Sequence, residues 1–253
     1  MKGKIALLDY FDGKEAAALL IDGELHDFFA EPGPNAPGSI FKVKVKHQIK
    51  GSGGIFVESP DGDFFLHKTK GITAGDVILV QVSSYGDREK LPRVTTKLLF
   101  KSRYVIVTPF NEGLNIAKNI QDNERRIQLK QLVVEGLDHI PYGMIMRSSC
   151  ASANKSEIIS DCKNTIMTAQ NVLSAEDKQM GLIHRAPSPH QLAWREWIDM
   201  LALDKTRGTF ADHGVLELID ELKHSKVILN NGNYYIEPTK AFVAIDVNTA
   251  GDI

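Results

Sequence analysis

Asp246 and Asn248 stand two positions apart in Ala241-Phe-Val-Ala-Ile-Asp-Val-Asn-Thr249, an apolar run that reads as a strand. Successive side chains on a strand alternate between faces, so this acid and this amide point the same way. Together they form half of a site for Mg2+, which takes a few protein oxygens and keeps its other positions for water and phosphate. One carboxylate alone holds the ion poorly, and the acid that follows is Asp252. The same Asp-x-Asn after a strand also serves as a turn or a helix N-cap. A second pair, Arg147-Ser148, ends the apolar run Tyr142-Gly-Met-Ile-Met and precedes Ser149, Ser152 and Asn154. A guanidinium fork beside a hydroxyl suits a terminal phosphate, while an arginine on a rim, paired with a nearby acid, is the other reading. A third group is Phe56 and Phe65 among Lys44, Lys46, Lys68, Lys70 and Lys90. Aromatic faces on a sheet stack on any base at about 1–3 kcal/mol each, and lysines follow the backbone. Phe64 and Phe65 are adjacent and face opposite ways, and composition leaves open which of them is core.

Charge along the chain supports a polyanion partner. Residues 37–103 hold twelve Lys and Arg against six Asp and Glu, while residues 1–36 hold three against seven and the remainder fifteen against nineteen. A basic segment inside a chain of net charge −2 is an electrostatic footprint for phosphates, although a solvated basic face has the same composition. No apolar run approaches the ~20 residues of a membrane span, and Met1-Lys-Gly-Lys-Ile leads to Asp9 and Asp12 rather than to a signal-peptide core, which predicts a cytoplasmic protein. Cys150 and Cys162 lie twelve apart without a CxxC or a histidine cluster, so reduced thiols are expected, with Cys162 on a helix face. No Ser/His/Asp grouping and no phosphate-binding glycine loop is present.

These residues must be positioned by short elements. Lys4–Asp9 and Ala16–Phe28 read as strands joined by turns, and Glu31-Pro-Gly-Pro-Asn-Ala-Pro-Gly38 as a boundary. Ile40–His47 alternates cleanly, Gly54–Ser59 and Asp63–His67 form a hairpin about Pro60-Asp-Gly62, Asp76–Ser83 follows, and Thr95–Leu99 supplies a fifth strand. Five short basic strands suggest an OB-type barrel, which binds single-stranded nucleic acid across its sheet. A strand at Arg103–Pro109, a helix from Glu124 to Gly136 capped by Asp122 or Asn123, a strand into Arg147 and an amphipathic helix from Lys155 to Leu173 imply a small α/β unit. Beyond Pro189, the spacing predicts a helix with Trp194 and Trp197, another from Gly214 to Lys223, and a hairpin turning at Asn231-Gly232 before the Asp246 strand.

In this order the pieces resemble the bacterial ribonuclease E/G family over nearly the whole chain. The resemblance is carried by Tyr104-Val-Ile-Val-Thr-Pro109, Gly143-Met-Ile-Met-Arg-Ser148 and Ala244-Ile-Asp-Val-Asn-Thr249, and the phrase Leu192-Ala-Trp-Arg-Glu-Trp197 is similar to the short members. It implies an α+β chain of several subdomains. Residues 1–36 and 186–235 would form a split RNase H-like subdomain, 37–103 an inserted OB-fold RNA-binding domain, 104–185 a 5′ sensor, and 236–253 the first strand of a DNase I-like catalytic domain. It further implies an endoribonuclease that cuts single-stranded RNA with Mg2+ at Asp246, with Asn248 beside it, in RNA processing or decay. Arg147 and Ser148 would sense a 5′-monophosphate, serine standing where the family has threonine. Phe56 and Phe65 would stack on bases, which decides for Phe65 over Phe64, and Lys90 would meet the backbone. The family's second aspartate, some tens of residues further on, the zinc-link cysteines of the long members and a sensor arginine from the catalytic domain are missing from this sequence, and Lys240 stands where long members carry glutamate, with Glu237 close by, so an incomplete catalytic site is expected. The alternative is a non-catalytic RNA-binding protein that keeps barrel and sensor. An oligomer is compatible with either.

Overall fold

Strand-forming alternation dominates the first part of the chain and helical spacing its middle, and the computed structural model follows that division over residues 3–48, 53–67, 69–86, 90–174, 179–197, 203–204 and 209–249. Eight strands come first: β1 (Lys4–Phe11), β2 (Lys14–Ile21), β3 (Glu24–Ala30), β4 (Ile40–Gln48), β5 (Gly54–Ser59), β6 (Gly62–His67), β7 (Val77–Ser84) and β8 (Arg93–Thr95). Then β9 (Phe100–Lys101), β10 (Val105–Thr108) and β11 (Leu114–Ile116) lead to helix α1 (Asn123–Gly136) and β12 (Gly143–Met146). A 3-10 turn at Ser148–Ala151, α2 (Lys155–Leu173), β13 (Gly181–His184) and α3 (Pro189–Glu196) follow. Last come β14 (Leu203–Asp204), α4 (Thr209–Asp212), α5 (Val215–Glu221), β15 (Lys226–Leu229), β16 (Gly232–Pro238) and β17 (Val243–Asn248). Two compact units result, Met1–Ala30 with Met200–Ile253, and Glu31–Asp199.

In the unit Glu31–Asp199, β4 pairs with both β5 and β7, so the order β4-β5-β6-β8-β7 closes on itself as a five-stranded barrel, with β13 added along β4. Every second residue points inward: Phe41, Val43, Val45, Ile55, Val57, Phe64, Leu66, Val80, Val82 and Val94 fill the barrel. The fifth strand is Arg93–Thr95, not Thr95–Leu99 as the sequence suggests. Val94 is the residue that completes the interior, opposite Leu66 and Val82. The stretch after it leaves the ladder because the Gln81 amide takes over its backbone: Leu99 N–H donates to Gln81 Oε1 at 2.9 Å and Gln81 Nε2 donates to Leu99 O at 3.0 Å. Leu98 packs instead into the second core of this unit.

That second core belongs to the sheet β11-β12-β10-β9 and helices α1 and α2. Asp122 caps α1, its Oδ1 accepting from the backbone N–H of Glu124 at 2.9 Å and of Arg125 at 3.3 Å. Of the residues whose helical spacing predicts a core stripe on α2, Ile158, Cys162, Ile166 and Ala169 are buried and Leu173 is half-buried, and Thr165 and Val172 are buried beside them. Gly143 at the start of β12 is required by close approach, since a Cβ there would lie 1.8 Å from Asn111 O. Ser188 caps α3 in a capping box with Gln191.

In the other unit β1, β2 and β3 form an antiparallel meander with β14 parallel to β1, covered by Phe210 and Val215 of α4 and α5. The buried Asp9 carboxylate accepts from Phe210 N–H at 3.0 Å. β15, β16 and β17 make a separate antiparallel sheet. Its first turn is Asn230-Asn231, closed by the Leu229–Gly232 pair, one residue earlier than the Asn-Gly signal suggests. The apolar residues of β17 are not a buried stem: Val243, Ile245 and Val247 are 57%, 64% and 63% exposed. Parity on the strand is as expected, but no described layer covers that face.

Candidate functional site

The hairpin β5–β6 sets the aromatic pair. Phe56 and Phe65 are direct cross-strand partners, and since Phe64 fills the barrel, Phe65 faces outward. Their rings lie edge to face, centroids 6.4 Å apart, and His67 continues the cluster 5.3 Å from Phe65. Gly54 makes this possible: a Cβ at that position would meet Phe65 Cε2 at 2.1 Å, so the ring packs against bare backbone. Phe65 is also paired across to Arg93, which is outward because the next pair, Leu66 and Val94, is inward. An outward row Phe56, Phe65, Arg93 therefore crosses three strands, with Lys90 exposed three residues before Arg93. Lys44 and Lys46 point outward on β4, but Lys46 is tied to Glu58 at 2.5 Å, and the hydrogen bond and charge of Glu58 raise its pKa. Lys70 is exposed in the loop before β7, and Lys68 lies outside the described residues. His67 was overlooked in the sequence although strand parity puts it on the Phe65 face.

Arg147 and Ser148 lie where β12 passes into the 3-10 turn, with the Arg147 backbone N–H on Tyr104 O at 2.8 Å. The Arg147 guanidinium donates from Nη1 to Ser102 O at 2.5 Å and to Arg195 O at 3.3 Å, and from Nη2 to Glu196 Oε2 at 2.7 Å. Arg195 Nε donates to the other Glu196 oxygen at 2.5 Å. Burial pushes the Glu196 carboxyl up, but the hydrogen bond from Arg147 and the charge of Arg195 outweigh it and hold its pKa below the ordinary value. The paired acid that the sequence left open is thus Glu196, hidden there because Arg-Glu at a helix end looks like a solvated face. The loop Ser102–Tyr104 that shapes this corner is gripped by α2: Asp161 Oδ2 accepts from Ser102 Oγ at 2.6 Å and from Tyr104 N–H at 2.8 Å. Ser149 donates its hydroxyl to Arg103 O. The Arg103 guanidinium lies 4.0 Å over the Trp194 ring. Beside it, a cleft of about 550 Å3 is bordered by Lys97, Lys101, Arg103, His184, Trp194 and Arg195, and burial lowers the pKa of His184. Cys150 and Cys162 are buried free thiols, each pushed up to about 12 mainly by burial.

Asp246 and Asn248 share a face of β17, as strand parity requires, and Asn248 Nδ2 donates to Asp246 Oδ2 at 3.3 Å. Register puts Tyr235 opposite Asp246 and Asn233 opposite Asn248, and Glu237 lies on the same face two residues beyond Tyr235. Lys226 completes the row, its Nζ 5.7 Å from the Tyr235 ring centroid. Among the described residues no three His, Cys, Asp or Glu converge as a complete metal cage. Asp252 lies outside the described residues.

A closed five-stranded barrel with an outward aromatic row defines the class, an oligonucleotide-binding fold carried beside a small α/β unit. Residues 100–200 match the Ribonuclease E/G family, and the chain resembles that family in sequence well beyond this stretch. Ribonuclease G of Haemophilus influenzae is 26% identical over 84% of this chain and 55% of its own length. Ribonuclease E of a Nostoc species is 22% identical over 93% of this chain and 42% of its own. A Ribonuclease E/G-like protein of Pyropia yezoensis is 29% identical over 37% of this chain and 18% of its own. The chain thus spans about half the length of the two bacterial relatives or less. Among the described residues no helix is long and apolar enough to cross a membrane.

Proposed function

We propose that this chain captures single-stranded RNA for a Mg2+-dependent endoribonuclease of the E/G type, acting in RNA processing or decay in the cytoplasm. The observation that carries the reading is the outward pair Phe56 and Phe65, held in register over Gly54 on a closed barrel. Two bases would stack on that pair, with Arg93 and Lys90 along the backbone. The 5′-monophosphate would be met at Arg147, with the Ser148 hydroxyl next to it. In this reading residues 1–36 and 186–235 form the RNase H-like subdomain, 37–103 the OB-fold domain, 104–185 the 5′ sensor, and 236–253 opens the DNase I-like domain.

The metal would be held by Asp246, with the Asn248 side-chain oxygen free to turn toward it once the amide releases the carboxylate. A carboxylate and an amide on one exposed strand face fit an ion that keeps most of its shell for water and phosphate oxygens. Bound Mg2+ supplies charge neutralisation at the scissile phosphate and a more acidic water, leaving a 3′-hydroxyl and a 5′-phosphate. Asp246 fixes the position at which this happens, and Asn248 orients the phosphate or the attacking group.

The test is cleavage of a 5′-monophosphorylated RNA oligomer in Mg2+ and in EDTA, beside Asp246→Asn. Cleavage that needs both Mg2+ and Asp246 supports the enzyme, and cleavage indifferent to Asp246 overturns the metal assignment. RNA binding without cleavage supports the second reading, a non-catalytic RNA-binding chain. Absence of RNA binding overturns both.

A further inference from the structure

We propose that Arg147 and Arg195 together form the terminal-phosphate site, and that Glu196 occupies it as an internal stand-in for the phosphate. This rests on the reading of Arg147 as the 5′-phosphate sensor and adds a second guanidinium and a competitor to it. Each oxygen of the Glu196 carboxylate is taken by a different arginine, Oε2 by Arg147 at 2.7 Å and Oε1 by Arg195 at 2.5 Å. The two arginine side chains are 16% and 19% exposed, so the carboxylate sits against two largely desolvated cations. Two guanidiniums that each give one N–H to the same anion make a built anion site.

Glu196 is a poor permanent tenant. It is the last residue of α3, where the unpaired carbonyls of the helix end disfavour negative charge. Its neighbour Arg195 is adjacent in sequence, and adjacent side chains on a helix do not ordinarily face each other, so the convergence is imposed by the pull of both guanidiniums on one carboxylate. At 35% exposure the side chain has a route to solvent by rotation alone. A phosphate monoester brings three oxygens and up to two charges where the carboxylate brings two and one. Arg147 would keep its aim when Glu196 leaves, because Nη1 remains on Ser102 O, itself in the loop gripped by Asp161. Wild-type selectivity for a 5′-phosphate is thus set by competition, and RNA ends that carry a weaker anion fail to open the site.

The experiment is fluorescence anisotropy in EDTA with 3′-labelled single-stranded RNA, bearing either a 5′-monophosphate or a 5′-hydroxyl, and the full chain. Glu196→Gln keeps the shape but removes the charge and one of the two acceptors that the arginines use. If the carboxylate holds the site about nine-tenths of the time, this variant binds the monophosphate about tenfold more tightly. The 5′-hydroxyl RNA should be unaffected, and Arg195→Ala should lower the ratio between the two RNAs. Melting curves of each variant separate loss of fold from loss of site, and Arg195→Lys, which keeps the charge, should retain part of the ratio. If Arg147→Ala lowers the ratio while Glu196→Gln and Arg195→Ala leave it unchanged, the sensor stands and the present proposal falls. If Arg147→Ala also leaves it unchanged, the sensor reading itself falls, and this proposal with it.

Discussion

Phe64 and Phe65 are chemically identical neighbours with opposite duties, and their substitutions should separate stability from binding. Phe64 is fully buried against Phe41, ring centroids 4.8 Å apart, so Phe64→Ala should cost about 3–5 kcal/mol of stability, read by denaturant unfolding. Phe65→Ala or Phe56→Ala should leave the melting temperature nearly unchanged and weaken single-stranded RNA binding by about 1–3 kcal/mol per lost stack, with little sequence bias. A loss confined to stability would make those rings structural. Glu196 gives a pH signature of its own. Its folded pKa is held below the ordinary carboxylate value, so its ion pairs stabilise the fold above the unfolded pKa, and that contribution disappears as pH falls through the folded one. Wild type should therefore lose stability relative to Glu196→Gln on acidification, and parallel acid-unfolding curves would contradict the pairing.

At the scale of elements, α2 does more than cover a sheet. Its apolar stripe packs on β10 and β9, while Glu157 and Asp161 on the same helix bind Tyr104 and the Ser102–Tyr104 loop that orients Arg147. Asp161→Ala leaves the Tyr104 N–H without its acceptor and the Ser102 hydroxyl with Val105 O alone, 3.0 Å away, and should cost about 1–3 kcal/mol in stability while lowering selectivity for a 5′-phosphate. Unchanged selectivity in a folded variant would show that the loop holds its shape without the helix. Cys162 on the buried side of α2 and Cys150 in the adjoining turn, both pushed up to about 12, should resist thiol reagents at neutral pH until the unit unfolds. Labelling that precedes unfolding would place a thiol at the surface.

For the whole molecule, the charge division between segments predicts a salt-dependent encounter with RNA. Log affinity should fall against log salt with a slope of roughly −0.7 for each phosphate neutralised, and a slope near zero would rule out the basic barrel as the main binding surface. Much of this was legible in the residues themselves. Alternation located four of the five barrel strands, the Asp122 cap and the spacing through Ile158, Cys162, Ile166 and Ala169 gave α1 and α2, and parity put Asp246 and Asn248 on one face. Those features are local, set by backbone geometry a few residues long. The fifth strand was displaced because Gln81, a residue 18 positions away, takes the hydrogen bonds of Leu99. Glu196 as the partner of Arg147 joins residues 49 apart, and Arg93 enters the aromatic row through a parallel pairing with β6. Periodicity sees neither, because it reports which way a side chain points and not what stands opposite. What the chain presents, a basic barrel face, an arginine at a strand end and an acid beside an amide, follows from sequence alone. Which anion already occupies the arginine, and which strands close the barrel, depended on contacts between distant residues that only the packed structure brings within hydrogen-bonding reach.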